Sequence, residues 1–349
     1  MMTTRRATIA DVARSAGVAP STASVVFSGK GPVSDATRRR VMAAAADLGY
    51  VGPDPMAASL RRGRSGIVGV VVGSNLNDMF RDPVQRLLMD GLAEAIAPRG
   101  AGLLLLRSHK AVENAPTLMT APLDAAVLIG CDGPLRDSLN EAHLRGLPIV
   151  VIEGDAGPGV PRILLDNREA QRTAAEHLHA LGHRHVAIVT LRVSAGFAGG
   201  PLTPDIEVTI DVTRDRLAGA RDVFPDAPVI ATAGSSIDEG LAAGRALFAD
   251  PSARPTAVIA QSDLLATGVI RAAEEAGLRV PDDVSVTGFD GIPVDGLAPH
   301  QLTTLVQDAT GKGRAAGEAV GALLDGRRPA SVLLTCPFRR GSTTSPASR

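Results

Sequence analysis

The sequence predicts a small all-α head joined to a larger α/β body of doubly wound parallel sheets, and three observations carry that prediction. The first 65 residues hold ten Lys or Arg against four acids, a net of +6; the whole chain carries −1, so the rest carries −7. Three short helical patterns, separated by glycines, fill that basic segment. From Ile67 onward, short apolar runs alternate with longer helical ones, the pattern of parallel strands joined by crossover helices. At roughly 100 to 200 residues per domain, 349 residues make two or three folding units. A basic head on an acidic body points to a head that meets a polyanion and a body with a different task.

The head can be read element by element. Ile9, Val12, Ala13 and Ala16 follow helical spacing and Gly17 stops the pattern. A second helix starts at Pro20, a residue suited to a first turn, and runs to Gly29. The third has Ser34 as N-cap, Asp35 in its first turn, Val41, Ala45 and Leu48 on one face, and Gly49 at its end. Helix, glycine turn, helix is the helix-turn-helix layout.

In the body, strands are predicted at 67–72, 103–106, 126–129, 149–152, 186–189, 258–260 and 284–287. Helices are predicted around 84–95, 135–145, 168–181, 237–249 and 263–276. Doubly wound layers of this kind present ligands at the C-terminal strand ends. Residues 194–213 read as a mobile loop with one weak strand, and 343–349 as a disordered tail.

Several function classes find no anchor. Cys131 and Cys336 stand far apart with no CxxC spacing, so neither a disulfide framework nor a thiolate metal site is indicated, and a reducing cytoplasm fits. No secretory signal or membrane span is recognisable. His177, His179, His183 and His185 imitate a metal cluster, but residues two apart on a helix face opposite sides and Gly182 interrupts the helix. Thr310 to Gly313 imitates the end of a phosphate-binding loop without the upstream glycine or the hydroxyl after Lys312. No GxSxG or HExxH motif is present. Neither a cofactor nor a metal is expected, and no enzymatic activity.

The head reads TIADVARSAGVAPSTASVVFSGKGPVSDATRRRVMAAAADLGY from Thr8, and SLRRGRSGIVGVVV follows from Ser59. Further blocks are LLDNREAQRTAAEHLHALGHRHVAIV, AVIAQSDLLATGVIRAAEEAGLRVPDDVSVTGFDGIP and LTTLVQDATGKGRAAGEAV. Through these ordered blocks the chain resembles the lactose-repressor (LacI/GalR) family of bacterial transcription regulators, from Thr8 to about Ser342. The resemblance implies a helix-turn-helix headpiece over 1–51, a hinge helix over 52–65 and a periplasmic-binding-protein-like core over 66–342. Two lobes would enclose an effector cleft, with crossovers near Asp166, Pro293 and Gly326. Lobe 1 would then hold 66–165 and 294–325, and lobe 2 would hold 166–293 and 326–342. It further implies a cytoplasmic, nucleoid-associated repressor. Such a protein binds a palindromic double-stranded operator as a homodimer or a dimer of dimers, under control of a sugar or another small polar effector. A secreted solute-binding protein would share the core but lack the basic head, and a sugar-modifying enzyme would need a catalytic constellation.

In a helix-turn-helix the first residues of the second helix reach base edges. Here these are Pro20, Ser21, Thr22 and Val25. Ala23 and Val26 fit the core better than Val25, which then faces the groove and suits a thymine methyl. The family most often has arginine where Val25 stands. Thr8, Ser24, Ser34, Thr37 and Arg38 are expected phosphate contacts, with capping or plain exposure as the alternative for each. Residues 55–60 are too few for a stable isolated helix, so the hinge folds on DNA or serves as a linker. The resemblance makes Leu60 a minor-groove wedge.

For the effector cleft the resemblance selects Arg216, a forked donor for hydroxyl or carboxylate oxygens. Asp263 and Asp290 follow strands at the ligand edge, Asp263 with an N-cap role as its alternative. Asn75 and Phe80 follow the first strand. The chain has no Trp and its one Tyr is Tyr50, in the head. Phe80, Phe197 and Phe289 are therefore the candidate aromatic walls, which weakens a stacked sugar as ligand.

Overall fold

A computed structural model describes residues 7–29, 31–52, 54, 59, 63–72, 76–107, 117–130 and 133–347. The chain divides into two units, Met1–Ser65 and Gly66–Arg349. Leu60, most of the expected hinge helix, and Asn75 lie outside the described residues.

In the head, α1 (Ile9–Ser15), α2 (Pro20–Ser28) and α3 (Asp35–Asp47) close around Val12, Ala13, Ala23, Val26, Val41 and Ala45. Thr8 caps α1 reciprocally with Asp11, and Ser34 caps α3 by accepting from the Thr37 N–H at 3.3 Å. Phe27 and Tyr50 meet edge to face at 5.2 Å, closing α2 onto the end of the head. Leu48, expected on the buried face, is the C-cap of α3 and is exposed.

The body contains two sheets. In lobe 1, β1 (Ile67–Val72), β2 (Gly102–Arg107), β3 (Ala125–Ile129), β4 (Ile149–Ile152), β5 (Arg162–Leu165) and β12 (Val332–Leu334) are all parallel, in the order β12-β5-β4-β3-β1-β2. In lobe 2, β6 (Val186–Thr190), β7 (Gly200–Pro201), β8 (Val229–Ala231), β9 (Ala257–Ala260), β10 (Ser285–Asp290), β11 (Thr303–Val306) and β13 (Phe338–Arg339) run β13-β11-β10-β9-β6-β8-β7. Its two short edge strands, β7 and β13, are antiparallel. Lobe 1 carries α4 (Leu76–Arg81), α5 (Pro83–Ile96), α6 (Gly133–Arg145) and α11 (Ala309–Leu324). Lobe 2 carries α7 (Asn167–Ala180), α8 (Asp211–Arg221), α9 (Ile237–Phe248) and α10 (Asp263–Glu275). Central strands read as near-continuous apolar runs because both faces are covered, as in β3, β4, β6 and β9.

Helices pair at backbone distance. A Cβ added to Gly91 of α5 would come within 2.0 Å of the Thr310 carbonyl oxygen on α11, and one on Gly313 would meet the Leu88 oxygen equally closely. Only glycine permits that approach.

Two of the expected crossovers are displaced. Asp166 does join β5 to α7, but Pro293 does not mark a passage: after β10 the chain returns to pair β11 alongside it, so the second crossover is Gln307–Asp308. Gly326, with φ 75°, merely ends α11, after which β12 adds to β5; the third crossover is 335–337. Lobe 1 is thus 66–165 and 309–334, and lobe 2 is 166–306 and 338–347. The passages are laced together. The Cys336 N–H donates to Asp166 Oδ1 at 3.0 Å, the Asp166 N–H to the Leu334 oxygen at 3.0 Å, and the Val306 N–H to the Pro337 oxygen at 2.9 Å.

The tail is ordered through Ala347, contrary to expectation. Thr343 and Thr344 are buried, Thr343 Oγ1 donates to the Val286 oxygen at 2.7 Å, and the Ala347 N–H donates to the Leu181 oxygen at 2.9 Å. Thr343 Oγ1 thereby serves backbone groups at the N-terminal ends of β10 and β11, donating to Val286 and accepting from the Thr303 N–H, that would otherwise stay unsatisfied. Residues 194–213 contain β7 and lead into α8. Among the described residues no helix is long and apolar enough to cross a membrane.

Candidate functional site

A cavity of about 190 Å³ opens between the lobes, where the C-terminal ends of the parallel strands meet. Arg216 from α8 and Asp290 from the end of β10 line it together with Asp82, Glu153, Ser262 and Gln307. Arg216 and Asp290 are only 3% and 5% exposed, so their polar atoms are satisfied by protein or by a ligand.

The side chains around the cavity form a closed circuit. Arg216 Nε donates to Asn167 Oδ1 at 2.8 Å, and Asn167 Nδ2 donates to Glu153 Oε1 at 3.0 Å. Lys312 Nζ donates to Glu153 Oε2 and to Gln307 Oε1, both at 2.6 Å. Gln307 Nε2 then donates to Asp290 Oδ1 at 2.5 Å, and that oxygen lies 3.7 Å from the Arg216 guanidinium. The circuit crosses the lobe junction twice, through Glu153–Asn167 and through Lys312–Gln307. Lysine and arginine can only donate. Lys312 therefore fixes the Gln307 amide and Arg216 fixes that of Asn167, so the direction of each bond is set.

Two further contacts hold Arg216. It donates to the Gln261 oxygen at 2.6 Å and lies 3.5 Å above the centroid of Phe289. Phe289 is thus a floor for the guanidinium and not a wall for a ligand, and among the described residues no aromatic side chain lines the cavity. Phe80 is 57% exposed on α4 and does not line it.

Electrostatics divide the acids. Burial alone would raise the Glu153 carboxyl, but Lys312 and Arg216 outweigh it and hold the group below its ordinary range. Burial raises Asp290 well above the usual value, opposed by Arg216 and reinforced by Asp263 and Asp82. Asp82, the N-cap of α5, is also raised by burial despite the Val84 and Gln85 N–H groups. Glu153 and Asp290 are, among the described residues, the two non-glycine positions with positive φ, 53° and 123°. Strain of this kind persists where surrounding structure over-determines it, commonly at binding sites.

Asp263 requires correction. Its side chain neither caps the helix nor lines the cavity. Ser262 does both, accepting from the Leu265 N–H at 3.2 Å. Asp263 is wholly buried one residue further on, accepting from Thr304 Oγ1 at 2.5 Å and from the Ile292 N–H at 2.9 Å. It ties the segment after β10 to β11.

Sequence reasoning found Arg216 and Asp290 and missed Asp82, Glu153, Asn167, Ser262, Gln307 and Lys312. Asp82 before Pro83 carries a helix-start signal, and Gln307 lies inside a block already singled out. A lone glutamate after a strand carries no signal. The histidines act separately: His177 meets Thr344, while His183 meets Thr256 and Ser345. Burial pushes the Cys336 thiol up to about 12, far from a nucleophile.

In the head, Pro20, Ser21 and Ser24 are exposed, and Thr22 and Val25 are half-buried. Thr8, Ser34 and Thr37 are engaged in caps, Thr8 Oγ1 donating to Asp11 at 2.7 Å and Ser34 Oγ to Thr37 Oγ1 at 3.0 Å. Arg38 donates to the Val26 oxygen at 3.4 Å, while its neighbours Arg39 and Arg40 are exposed.

A helix-turn-helix head and a two-lobed core with a polar cleft define an effector-binding, DNA-binding regulator. Residues 8–52 match the bacterial regulatory proteins of the lacI family, and residues 175–343 match the periplasmic binding protein-like domain. The HTH-type transcriptional regulator Rv3575c of Mycobacterium tuberculosis is 33% identical, over 98% of each chain. The lac repressor dimer bound to operator and the anti-inducer ONPF shares the fold with a TM-score of 0.77 at 23% identity, covering 98% of this chain and all of that one. The transcriptional regulator CelR in complex with cellobiose matches with a TM-score of 0.63 at 25% identity, over 97% and 100%. The chain belongs to the LacI family of bacterial transcriptional regulators, a family of regulators and not of enzymes.

Proposed function

We propose that the protein is a repressor that binds a palindromic operator as a dimer and changes DNA affinity when a small polar effector enters the interlobe cavity. The observation that carries this is the circuit of six side chains, four of which line the cavity, that spans both lobes. A ligand that bonds to Arg216 or Asp290 must act on contacts between the lobes, so it binds the two lobe arrangements with different affinity. Pro20, Ser21, Thr22 and Val25 read base edges, while Ser24, Arg38 and the capping residues Thr8, Ser34 and Thr37 lie along phosphates. Leu60 wedges into the minor groove at the operator centre. The dimer, or a dimer of dimers, acts on the nucleoid in the cytoplasm. Relatives support the reading: the lac repressor dimer is bound to operator and CelR to cellobiose.

The test is selection of bound sequences from random duplex DNA by the full chain, followed by a ligand screen for release. A symmetric site is expected, with affinity falling steeply with salt through counterion release. Arg216→Lys keeps the charge but loses the forked donor. It should retain operator binding and weaken the ligand response at least about tenfold. An asymmetric or absent site, or an unchanged ligand response, refutes the corresponding half.

A further inference from the structure

The outward face of α2 is chemically narrow. At 100° per residue Ala23, Val26 and Phe27 turn toward the core of the head, and Ser21, Ser24, Val25 and Ser28 turn away. The helix carries no acidic residue in its first turn and no basic one in its last, and its sequence PSTASVVFS contains no Lys, Arg, Asn or Gln anywhere. Bidentate reading of guanine requires Arg or Lys, and of adenine Asn or Gln. No side chain of α2 can perform either.

What the face does offer is three hydroxyls beside one isopropyl group. Hydroxyls both donate and accept, so they bond to any base edge and discriminate little. Ser28 Oγ donates to the Val25 oxygen at 3.3 Å. Val25 is half-buried at one edge of that face, beside Ser21, and its inner side is held by the following loop: a Cβ on Gly31 would come within 3.0 Å of Val25 Cγ1. Among the described guanidiniums nearby, Arg38 donates to the Val26 oxygen and Arg14 to Asp11 at 3.2 Å.

We propose that the head selects its half-site through thymine methyl groups packed on Val25, with no bidentate base contact from α2. The inference rests on α2 lying in the major groove. The thymine methyl is the apolar group among the base edges there. Opposite any other edge, the isopropyl group displaces water from a donor or acceptor and returns nothing. Discrimination at this position is therefore mainly rejection of bases that lack the methyl.

The experiment takes the operator selected by the full chain and replaces each half-site thymine in turn by deoxyuridine, which removes only the methyl. A parallel series replaces each guanine by 7-deazaguanine, which removes the acceptor that bidentate contacts need. One or two deoxyuridine substitutions per half-site should weaken binding about threefold to tenfold, the scale of one or two buried methyl groups. The 7-deaza series should stay within about twofold of the parent. Val25→Ala should lose a similar factor on the thymine operator, lose nothing further on the deoxyuridine operator, and bind random duplex as tightly as the parent. That last comparison separates a lost contact from a misfolded head. Deoxyuridine without effect at every position, a tenfold loss in the 7-deaza series, or additive losses for Val25→Ala and deoxyuridine would each overturn the proposal. A selection that enriches no site removes groove reading itself, and the methyl contact with it.

Discussion

The Asp263 carboxylate sits in the core of lobe 2, held by Thr304 and the Ile292 N–H, with Arg339 as a more distant cation. Burial pushes it up to about 7 against those hydrogen bonds. Its unfolded value is about 4, so between pH 4 and 7 the folded state holds the extra proton. The stabilisation this gives is complete below pH 4 and is lost as the pH rises through 7. Asp263→Asn cannot titrate and sets an amide against the Ile292 N–H, so its melting temperature should lie furthest below the parent at and below about pH 4, the gap shrinking toward pH 8. Parallel stability profiles for parent and variant would show that Asp263 keeps its ordinary pKa. Asp263 also marks the resolution of sequence reading: Ser262 and Asp263 share a strand-to-helix turn, and only packing decides which side chain turns to the cavity and which to the core. Glu153 and Lys312 were illegible for a different reason. They are 159 positions apart, and each acquires meaning only when the two lobes bring them together.

At the scale of elements, the glycine seams have the sharpest mutational signature. Gly91→Ala would drive a methyl into the Thr310 carbonyl, and overpacking of this kind costs about 1–3 kcal/mol or more. Gly102, on edge strand β2, has open space where its Cβ would stand, so Gly102→Ala serves as control. Thermal denaturation should show a clear loss for the first and almost none for the second; equal melting temperatures would mean that α5 and α11 part freely. The same seams explain which elements escaped the pattern. The α11 segment, ATGKGRAAGEAVGALL, buries Ala309, Gly313, Ala316, Gly317 and Val320 against its neighbours. A face made of glycine and alanine is well packed yet contributes almost nothing to an apolar periodicity. Strands β8 and β12 have three residues each, too few for a period to show. The long apolar strands and large-residue helices were legible because their burial is written in bulky side chains.

For the whole molecule, the circuit makes Lys312 the place to test coupling between lobes. Its ammonium is fully buried against Glu153. Lys312→Met leaves that carboxylate without its cation and should cost about 3–5 kcal/mol, whereas Lys312→Met with Glu153→Gln should recover most of it. The double variant should bind operator normally and respond poorly to effector, measured by DNA release; a full response would confine the circuit to stability. Misplacing the crossovers at Pro293 and Gly326 has a plain physical origin. A proline and a glycine end local elements, while passage between lobes depends on which sheet edge the next strand joins, and no local residue records that. The lacing of the three passages carries a consequence of its own. Two bodies joined by one thread can swing, twist and slide; three threads bonded side by side through Asp166, Cys336, Val306 and Pro337 make a ribbon. A ribbon bends readily about its width and resists torsion and shear, leaving the lobes one soft coordinate. Ligands of unrelated chemistry would then place the protein at different points along a single path, differing in how far they move it and not in where they take it.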